Sequence, residues 1–324
     1  MEVLWLSRGD VASLGVTMAE AMAEVERGFR LKGQGKVEMP AKIGVHTRPD
    51  CFLHAMPCFV SGEVDVSGLK WVGGYPPNQA KGLPYITGIY CLNDCETGFP
   101  LSVMDASWLT ALRTGAATGV CARHLAAPGA EVAGVVGLGV QARTSLLALR
   151  EALPNLRRVQ VYDLFPSQTG RFVADLEPLL PGVELVPCLE AEAAVREADV
   201  TVTCVPIVTD PKRFIPAAWL KTDALAISVD YDAAYCEDVM AGLFVCDDRE
   251  QYLWTQEHGV YFRGYPGAEG IYGDMGDLCA GKTPPVREGR RGAVLMGIAL
   301  DDALVGSLLY RRARERGVGK TLEL

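Results

Sequence analysis

The sequence has few histidines, no long apolar run and no surplus of positive charge. Its 324 residues include 4 histidines, and 31 Lys and Arg stand against 40 Asp and Glu, which gives a formal net charge of −9. Such a chain repels a polyphosphate unless its basic residues cluster, and the sequence shows no basic stripe. Nucleic acid is therefore not expected as a partner.

Signals for membrane insertion and for export are also missing. No apolar run reaches the roughly 20 residues that a membrane-spanning helix needs. The first eight residues lack the basic start and the long apolar stretch of a secretory signal. These absences predict a cytoplasmic protein with no membrane partner.

Cysteines are present, but their spacing suits neither disulfides nor zinc. The ten cysteines are scattered from Cys51 to Cys279, in a chain long enough to fold without cross-links. Cys51 with His54, and Cys91 with Cys95, are the nearest combinations, and neither has a second pair at zinc-site spacing. We expect reduced, mostly buried thiols and no metal ion.

The hydrophobic pattern predicts two kinds of architecture. An amphipathic helix is predicted over 10–31, and short β-like runs separated by Gly, Pro and Asn turns follow over 39–100, which indicates a mostly antiparallel sheet. After an Ala-rich helix predicted over 108–125, strands and helices alternate over 132–229. That alternation is typical of a doubly wound parallel sheet of the Rossmann type.

The fold class is therefore α/β, with a Rossmann-type domain plus an α+β domain. The Rossmann-type domain is predicted over 116–299. The α+β domain is predicted over 1–115 with 300–324, because the helical tail is expected to return to it. The aromatic, Gly-rich segment 260–277 is consistent either with a cover over a cleft or with a long surface loop.

A glycine-rich turn follows the first strand of the predicted parallel sheet. Residues 137–142 read Gly-Leu-Gly-Val-Gln-Ala, directly after an apolar strand and at the start of a helix. Gly137 permits the tight turn, Gly139 lets the backbone approach a pyrophosphate, and Ala142 allows close helix packing. The motif predicts a dinucleotide site with contacts from Gly137, Leu138, Gly139, Val140 and Gln141.

An acid at the end of the next strand indicates which dinucleotide is bound. Asp163 follows at about the 20-residue interval at which a carboxylate binds the ribose hydroxyls. It would face the 2′-phosphate of NADP, so NAD is expected and NADP is less favoured, although Arg171 offers a positive charge for that phosphate. Arg113, Thr114 and Val205 are further candidates for cofactor contacts.

Motifs along the chain resemble those of the ornithine cyclodeaminase/mu-crystallin family. They are the strand 68–72 (Gly-Leu-Lys-Trp-Val), the loop 74–84, Asn93-Asp94, the turn 97–100 and the run 109–117. The resemblance covers nearly the whole chain. It implies an NAD-dependent enzyme acting at the C–N bond of a small amino or imino acid. It also implies a homodimer, in which the α+β domain serves substrate binding and dimerisation.

The resemblance implies roles for individual residues. Lys70 and Arg113 would lie over the nicotinamide and hold the substrate carboxylate, and Asp232 would be the catalytic acid/base, with Asp230 as the alternative. The residue types agree with these roles, since a planar Arg fork suits a carboxylate and Lys adds a compact charge. Lys70, Arg113 and Asp232 are thus the candidate catalytic residues.

Two positions depart from the cyclodeaminase pattern. His54 replaces the glutamate that binds the distal ammonium, and Lys42 replaces an arginine, as in the alanine dehydrogenase type. Lys42, Lys70, Arg113 and a protonated His54 would form a cationic substrate pocket, in which a second ammonium costs about 1–4 kcal/mol per close pair. A core histidine bonded to a backbone carbonyl is the alternative for His54.

The cationic pocket favours a substrate with one or two carboxylates over ornithine. The sequence therefore predicts NAD(H)-dependent reduction of a small 2-imino acid, or the reverse dehydrogenation, with iminosuccinate as one candidate because the motifs resemble iminosuccinate reductases. One alternative is an ornithine cyclodeaminase, which recycles NAD within its site. The other is a crystallin-like NAD(P)H-binding protein without turnover.

Overall fold

The computed structural model describes residues 2–324 and divides the chain into two units. The first unit comprises the chain up to Arg113 together with Ile298–Leu324, and the second comprises Thr114–Gly297. Each unit contains one eight-stranded sheet. Among the described residues, no helix has both the length and the apolar character needed to cross a membrane.

The elements are numbered in chain order. The strands are β1 (Glu2–Leu6), β2 (Val37–Glu38), β3 (Ile43–Arg48), β4 (Cys51–Val60), β5 (Val66–Gly74), β6 (Ile86–Asn93), β7 (Pro100–Asp105), β8 (Val132–Val136), β9 (Arg158–Tyr162), β10 (Glu184–Pro187), β11 (Val200–Thr203), β12 (Leu225–Ser228), β13 (Leu243–Cys246), β14 (Ile271–Asp274), β15 (Arg291–Val294) and β16 (Lys320–Glu323). The α-helices are α1 (Arg8–Ser13), α2 (Met18–Gly33), α3 (Ala106–Leu125), α4 (Val140–Ala152), α5 (Pro166–Leu176), α6 (Ala191–Val195), α7 (Glu237–Met240), α8 (Arg249–His258), α9 (Met275–Cys279) and α10 (Ala299–Arg316).

The first unit is built on a mostly antiparallel sheet, as the sequence predicts. Its strand order is β16-β1-β7-β6-β5-β4-β2, with β3 paired to β4. Only β1 and β7 run parallel among these pairs. Helix α10 packs on α2 and on strands β4, β5 and β6, so the C-terminal helix covers one face of this sheet.

The predicted single helix over 10–31 is wrong, because the structure has two helices there. Ser7 and Asp10 form a capping box that starts α1, and Thr17 and Glu20 form a second one that starts α2. Gly15 between them has a positive φ of 60°. A capping box satisfies free N–H groups at a helix start, so the second box begins a new helix instead of continuing the first.

The second unit is a wholly parallel sheet of the Rossmann type, which confirms the predicted fold class. Its order is β10-β9-β8-β11-β12-β15-β13-β14. The order reverses between β8 and β11, and open parallel sheets bind ligands at the carboxyl ends of the strands beside such a reversal. The residues that follow β8, β11 and β12 therefore line one edge.

The segment 260–277 is not a surface loop, so that interpretation is wrong. Phe262 is fully buried and Tyr265 nearly so, both in the core cluster of the second unit. The segment also contributes β14, which pairs with β13. The sequence signal failed because Gly and Pro surround each aromatic residue and hide the short buried strand.

Candidate functional site

The glycine-rich turn lies between β8 and α4 and requires glycine at its first position. Gly137 has a φ of 83°, in the left-handed region that favours glycine. A Cβ there would lie 2.8 Å from the carbonyl carbon of Cys204 and 2.9 Å from the nitrogen of Val205. The N–H of Gly137 donates to the carbonyl of Tyr162 at 2.9 Å. The turn is thus packed tightly against the residues that follow β11.

Open space lies above the second glycine of the turn. Gly139 is the N-cap of α4, and a Cβ built on it would meet no atom within 4 Å. No side chain caps the 13-residue helix that begins at Val140, so its first N–H groups and the positive end of its dipole are available to an anion. The Oε1 of Gln141, on the same first turn, is buried and accepts no hydrogen bond among the described residues.

Asp163 lies beside the turn, as the sequence predicts. Its Oδ2 accepts the N–H of Leu138 at 2.8 Å and its Oδ1 accepts the N–H of Phe165 at 2.9 Å. Gln168 donates to the carbonyl of Leu138 at 2.7 Å and ties α5 to the same turn. Arg171, by contrast, directs its Nε to the carbonyl of Ser167 within α5. The carboxylate thus directly follows β9 and is tied to the glycine-rich turn through the N–H of Leu138.

Three charged side chains meet in the interior of the first unit. Lys70 on β5 contacts both oxygens of Asp302, which lies in the first turn of α10, at 2.8 and 2.7 Å. Arg113 on α3 donates its Nε to Oδ1 of the same carboxylate at 3.1 Å. Lys70 and Asp302 are 0% exposed and Arg113 is 6% exposed. The structure thus brings together the two predicted carboxylate-binding cations and adds an acid that sequence reasoning missed.

The surroundings of Lys70 lower the pKa of its ammonium group. Burial and the nearby Arg113 guanidinium lower the pKa of Lys70 to about 8, while Asp302 and Asp301 act in the opposite direction. Lys70 is therefore largely charged below pH 8 and loses its charge above it. A carboxylate ligand would favour the charged form, since an opposite charge stabilises an ammonium group.

Arg113 keeps most of its hydrogen-bonding capacity. A guanidinium carries five N–H donors in a planar fork. The Nε–H of Arg113 donates to Asp302. The two terminal nitrogens of Arg113 donate to no residue in the part of the chain that the structure describes. Two parallel donors on a buried cation are the arrangement that a carboxylate binds in bidentate fashion.

His54 does not add the positive charge that the sequence interpretation gave it. Burial, followed by the charges of Lys42, His46 and Lys70, lowers the pKa of His54 to about 3. Its ring stacks on Phe52 with the centroids 4.2 Å apart. A neutral imidazole at physiological pH leaves Lys42, Lys70 and Arg113 as the predicted cations. The alternative, a bond to a backbone carbonyl, is also absent among residues 2–324.

Asp230 is buried and fully engaged at the carboxyl ends of β11 and β12. Its oxygens accept hydrogen bonds from Thr203 (2.8 Å), Ser228 (2.7 Å) and the N–H of Val205 (2.9 Å). Burial raises the pKa of Asp230 to about 6, although these hydrogen bonds lower it. The carboxyl group holds the backbone of Val205 against the strand end, and three of its roughly four acceptor positions are occupied.

Asp232 is held differently, by a cation that sequence reasoning missed. Its Oδ2 accepts Nη2 of Arg213 at 2.6 Å and the N–H of Phe262 at 2.7 Å. Arg213 also bonds to Glu237 and stacks over the ring of Tyr265, with 5.1 Å to the ring centroid. Oδ1 of Asp232 has no hydrogen-bond partner in the described chain. Asp232 is thus a fixed carboxylate with one oxygen left for a ligand.

The remaining candidates are also placed by the structure. Thr114 is buried, and its carbonyl accepts the hydroxyl of Thr118 within α3 at 3.1 Å. Lys42 is buried just before β3. No group of three or more His, Cys, Asp or Glu side chains within 2–324 is placed to hold a metal ion.

Comparison with known proteins decides the family. The model of the ornithine cyclodeaminase/mu-crystallin family matches residues 2–317. The chain belongs to this family. The chain is 35% identical to alanine dehydrogenase of Archaeoglobus fulgidus, and the alignment covers 100% of the present chain and 99% of that relative. The sequence resemblance is therefore confirmed.

Solved structures of relatives share the fold over their whole length. Δ1-pyrroline-2-carboxylate reductase of Thermococcus litoralis, in complex with NADH and L-proline, has a TM-score of 0.88 and 29% identity and covers 98% of this chain and 99% of its own. An archaeal alanine dehydrogenase, a dimer with bound NAD, has a TM-score of 0.87 and 32% identity, with both chains covered to 100%. These likenesses confirm the fold and leave the substrate open.

Proposed function

We propose that this family member is an NAD(H)-dependent enzyme that reduces a small 2-imino acid to an amino acid, or catalyses the reverse oxidation. The buried guanidinium of Arg113 supports the proposal most directly, because its two terminal nitrogens are free of protein partners. A carboxylate is the common small ligand that pairs with such a fork in two parallel hydrogen bonds. Lys70 adds a second positive charge to the same site.

NAD(H) is the proposed cofactor, and the second unit has the features to hold it. Gly139 leaves space for the pyrophosphate, the uncapped start of α4 offers N–H groups, and Asp163 would accept the ribose hydroxyls. When bound, NADH supplies the hydride that reduces the imine carbon. Leu164 and Phe165, which follow Asp163, carry no charge for a 2′-phosphate. The two similar structures contain NADH or NAD.

We assign the proton at the substrate nitrogen to Asp232 rather than to Asp230. Arg213 and the N–H of Phe262 hold Oδ2 of Asp232 in place and leave Oδ1 without a protein partner. A fixed anion favours an iminium cation during reduction, and it accepts a proton from the ammonium group during oxidation. Asp230 is less suited to either task, because three of the roughly four acceptor positions of its carboxylate are already occupied by protein donors, against two in Asp232.

The neutral His54 changes the expected substrate. A second carboxylate would have Lys42 as its remaining predicted partner, because Lys70 and Arg113 are committed to the first one. We therefore expect imino acids with one carboxylate to be accepted, and iminosuccinate only as far as Lys42 stabilises it. Ornithine is disfavoured. At the position where cyclodeaminases have a glutamate, this chain has His54, an uncharged ring that cannot form an ion pair with an ammonium group.

A homodimer is proposed for this chain, formed through the outer face of the first sheet. Trp71 on β5 and Ile89 on β6 lie opposite each other on this face, and both are exposed. Further exposed apolar side chains on the same face are Leu69 on β5 and, on β3 beyond β4, Ile43 and Val45. Continuous exposed apolar patches mark interaction sites. The similar alanine dehydrogenase structure is a dimer.

A time trace of NADH absorbance tests the proposed reaction. The purified protein would be mixed with NADH, ammonia and pyruvate, glyoxylate or oxaloacetate, and separately with NAD and ornithine. We expect net NADH loss with pyruvate or glyoxylate and no reaction with ornithine. Proline formation without net NADH change would identify a cyclodeaminase instead, and NADH binding without any turnover would identify a crystallin-like binding protein.

A further inference from the structure

We propose that Asp302 is the positioning residue of the substrate-carboxylate site: it holds Lys70 and Arg113 side by side and keeps Lys70 charged. The inference rests on the proposed function, because it gives these two cations a common ligand. Asp302 itself touches neither substrate nor cofactor in this proposal. Its effect passes through the two side chains that it contacts.

The geometry leaves one shared anchor for both cations. Oδ1 of Asp302 lies 2.8 Å from Nζ of Lys70 and 3.1 Å from Nε of Arg113, and Oδ2 lies 2.7 Å from Nζ of Lys70. The three residues come from β5, α3 and α10. Asp302 is fully buried, so loss of its carboxylate would leave two buried cations uncompensated.

The donors that Asp302 leaves unused define how a ligand binds. Asp302 takes the Nε of Arg113, so a substrate carboxylate would bind end-on to the two terminal nitrogens. Lys70 has three N–H donors, and its two contacts with Asp302 leave capacity for a further oxygen. The arrangement suits one planar carboxylate shared by both cations.

Asp302 also sets the pH range over which Lys70 is a cation. Burial and Arg113 lower the pKa of Lys70, while Asp302 and, to a smaller extent, Asp301 raise it. The pKa of Lys70 is then about 8. Opposite Lys70 on the adjacent strands are Met56, which does not titrate, and Tyr90, whose pKa burial raises well above its ordinary value.

Two further titratable groups on β4 face the same interior and stay uncharged. Burial raises the pKa of the Cys58 thiol and, with the neighbouring cations, lowers the pKa of His54 to about 3. Removing the charge of Asp302 would therefore leave Lys70 with Asp301 as its acidic neighbour. The pKa of Lys70 would then move further below 8.

The first arm of the test measures turnover of Asp302→Asn against pH with the imino-acid substrate. We expect a rise in KM that lowers kcat/KM by about 100-fold, since a misplacement of about 1 Å in a positioning contact costs that much. The alkaline limb of the kcat/KM profile should move to lower pH, and the Kd for NADH should stay within about twofold of wild type. An unmoved limb in a folded, NADH-binding variant would overturn the proposal.

The second arm titrates Lys70 directly and does not depend on turnover. NMR of protein labelled at lysine, with the signal assigned by its loss in Lys70→Met, should give a lower pKa in Asp302→Asn than in wild type. An unchanged Lys70 titration contradicts the role of Asp302. A lowered Lys70 pKa in a protein that turns over no imino acid would instead refute the proposed function and leave the electrostatic role of Asp302 standing.

Two variants complete the design. Asp301→Asn removes the neighbouring buried charge, whose influence on Lys70 is smaller, and should move the alkaline limb by less than Asp302→Asn does.

Asp302→Glu keeps the charge but displaces the carboxylate oxygens by one methylene. It tests the positioning role even if Asp302→Asn does not fold. We expect the limb of Asp302→Glu at the wild-type pH with a raised KM. A wild-type KM in this variant would also contradict the positioning role.

Discussion

Asp230 and Asp232 lie two positions apart and yet do different work. Asp230 is enclosed by donors on both oxygens, and burial raises its pKa to about 6. Asp232 shares one oxygen between Arg213 and the N–H of Phe262 and keeps the other. Sequence position alone does not separate them, because both follow the same strand end. The contacts of each oxygen do.

Single substitutions of the two acids distinguish these assignments. Asp232→Asn should lower kcat by about 100-fold or more, because general acid–base catalysis contributes about 10²–10⁴-fold. It should leave the Kd for NADH unchanged. Asp230→Asn, the matched control, removes a charge of the same size and should retain most of the activity. Full activity in Asp232→Asn together with an inactive, folded Asp230→Asn would reverse the assignment.

At the scale of the element, the β8–α4 turn combines two glycines with different constraints. Gly137 needs its left-handed conformation, and a Cβ would strike the backbone of Cys204. Gly139 has an ordinary φ of −78° and free space around it. The first glycine therefore serves the fold, and the second serves the proposed pyrophosphate.

Alanine at each glycine should separate stability from cofactor binding. Gly137→Ala should lower the melting temperature, because the residue is strained and crowded. Gly139→Ala should leave the melting temperature equal or slightly raised, since a tolerated Gly→Ala change stabilises by about 0.4–1 kcal/mol, while NADH binding weakens by about tenfold or more.

Gly170→Ala on α5 is the control, because a Cβ there also meets no atom within 4 Å. It should raise the melting temperature slightly, because Ala stabilises a helix interior relative to Gly, and it should leave NADH binding unchanged, as measured by calorimetry and by fluorescence titration. Wild-type NADH affinity in Gly139→Ala would contradict the placement of the pyrophosphate.

At the scale of the whole molecule, the first sheet has two unlike faces. One face is covered by α10, and the other exposes Trp71 (39%) and Ile89 (39%), which lie opposite each other on β5 and β6. Isolated exposed apolar residues are common, but a contiguous set on one sheet face is not. The proposed homodimer would bury this face.

A charge placed on that face should disrupt the assembly. Ile89→Glu would bury carboxylates in an apolar interface, so we expect dissociation into monomers at micromolar protein concentration. Analytical ultracentrifugation measures the outcome. Leu179→Glu, at an exposed apolar position of the second unit, introduces the same charge and should remain dimeric. A dimeric Ile89→Glu would show that subunits meet elsewhere.

Several errors of sequence reasoning share one cause, which is dependence on distant residues. The charge of His54 depends on burial and on Lys42, His46 and Lys70. Asp302 lies 232 positions from Lys70 along the chain, and no local pattern connects them. The two capping boxes are visible in the sequence as Ser7-x-x-Asp10 and Thr17-x-x-Glu20. The break between α1 and α2 could therefore have been predicted from the sequence.

Residue order by itself determined the parallel sheet, the glycine-rich turn and the acid that follows it. These features are local, because strand, turn and helix lie within a few tens of residues and each has its own backbone requirement. Only the tertiary structure decided that Asp302 joins Lys70 to Arg113, that Arg213 fixes Asp232 and that His54 is neutral. Each of these depends on burial and on side chains brought together from separate elements, and neither quantity is encoded at a single position.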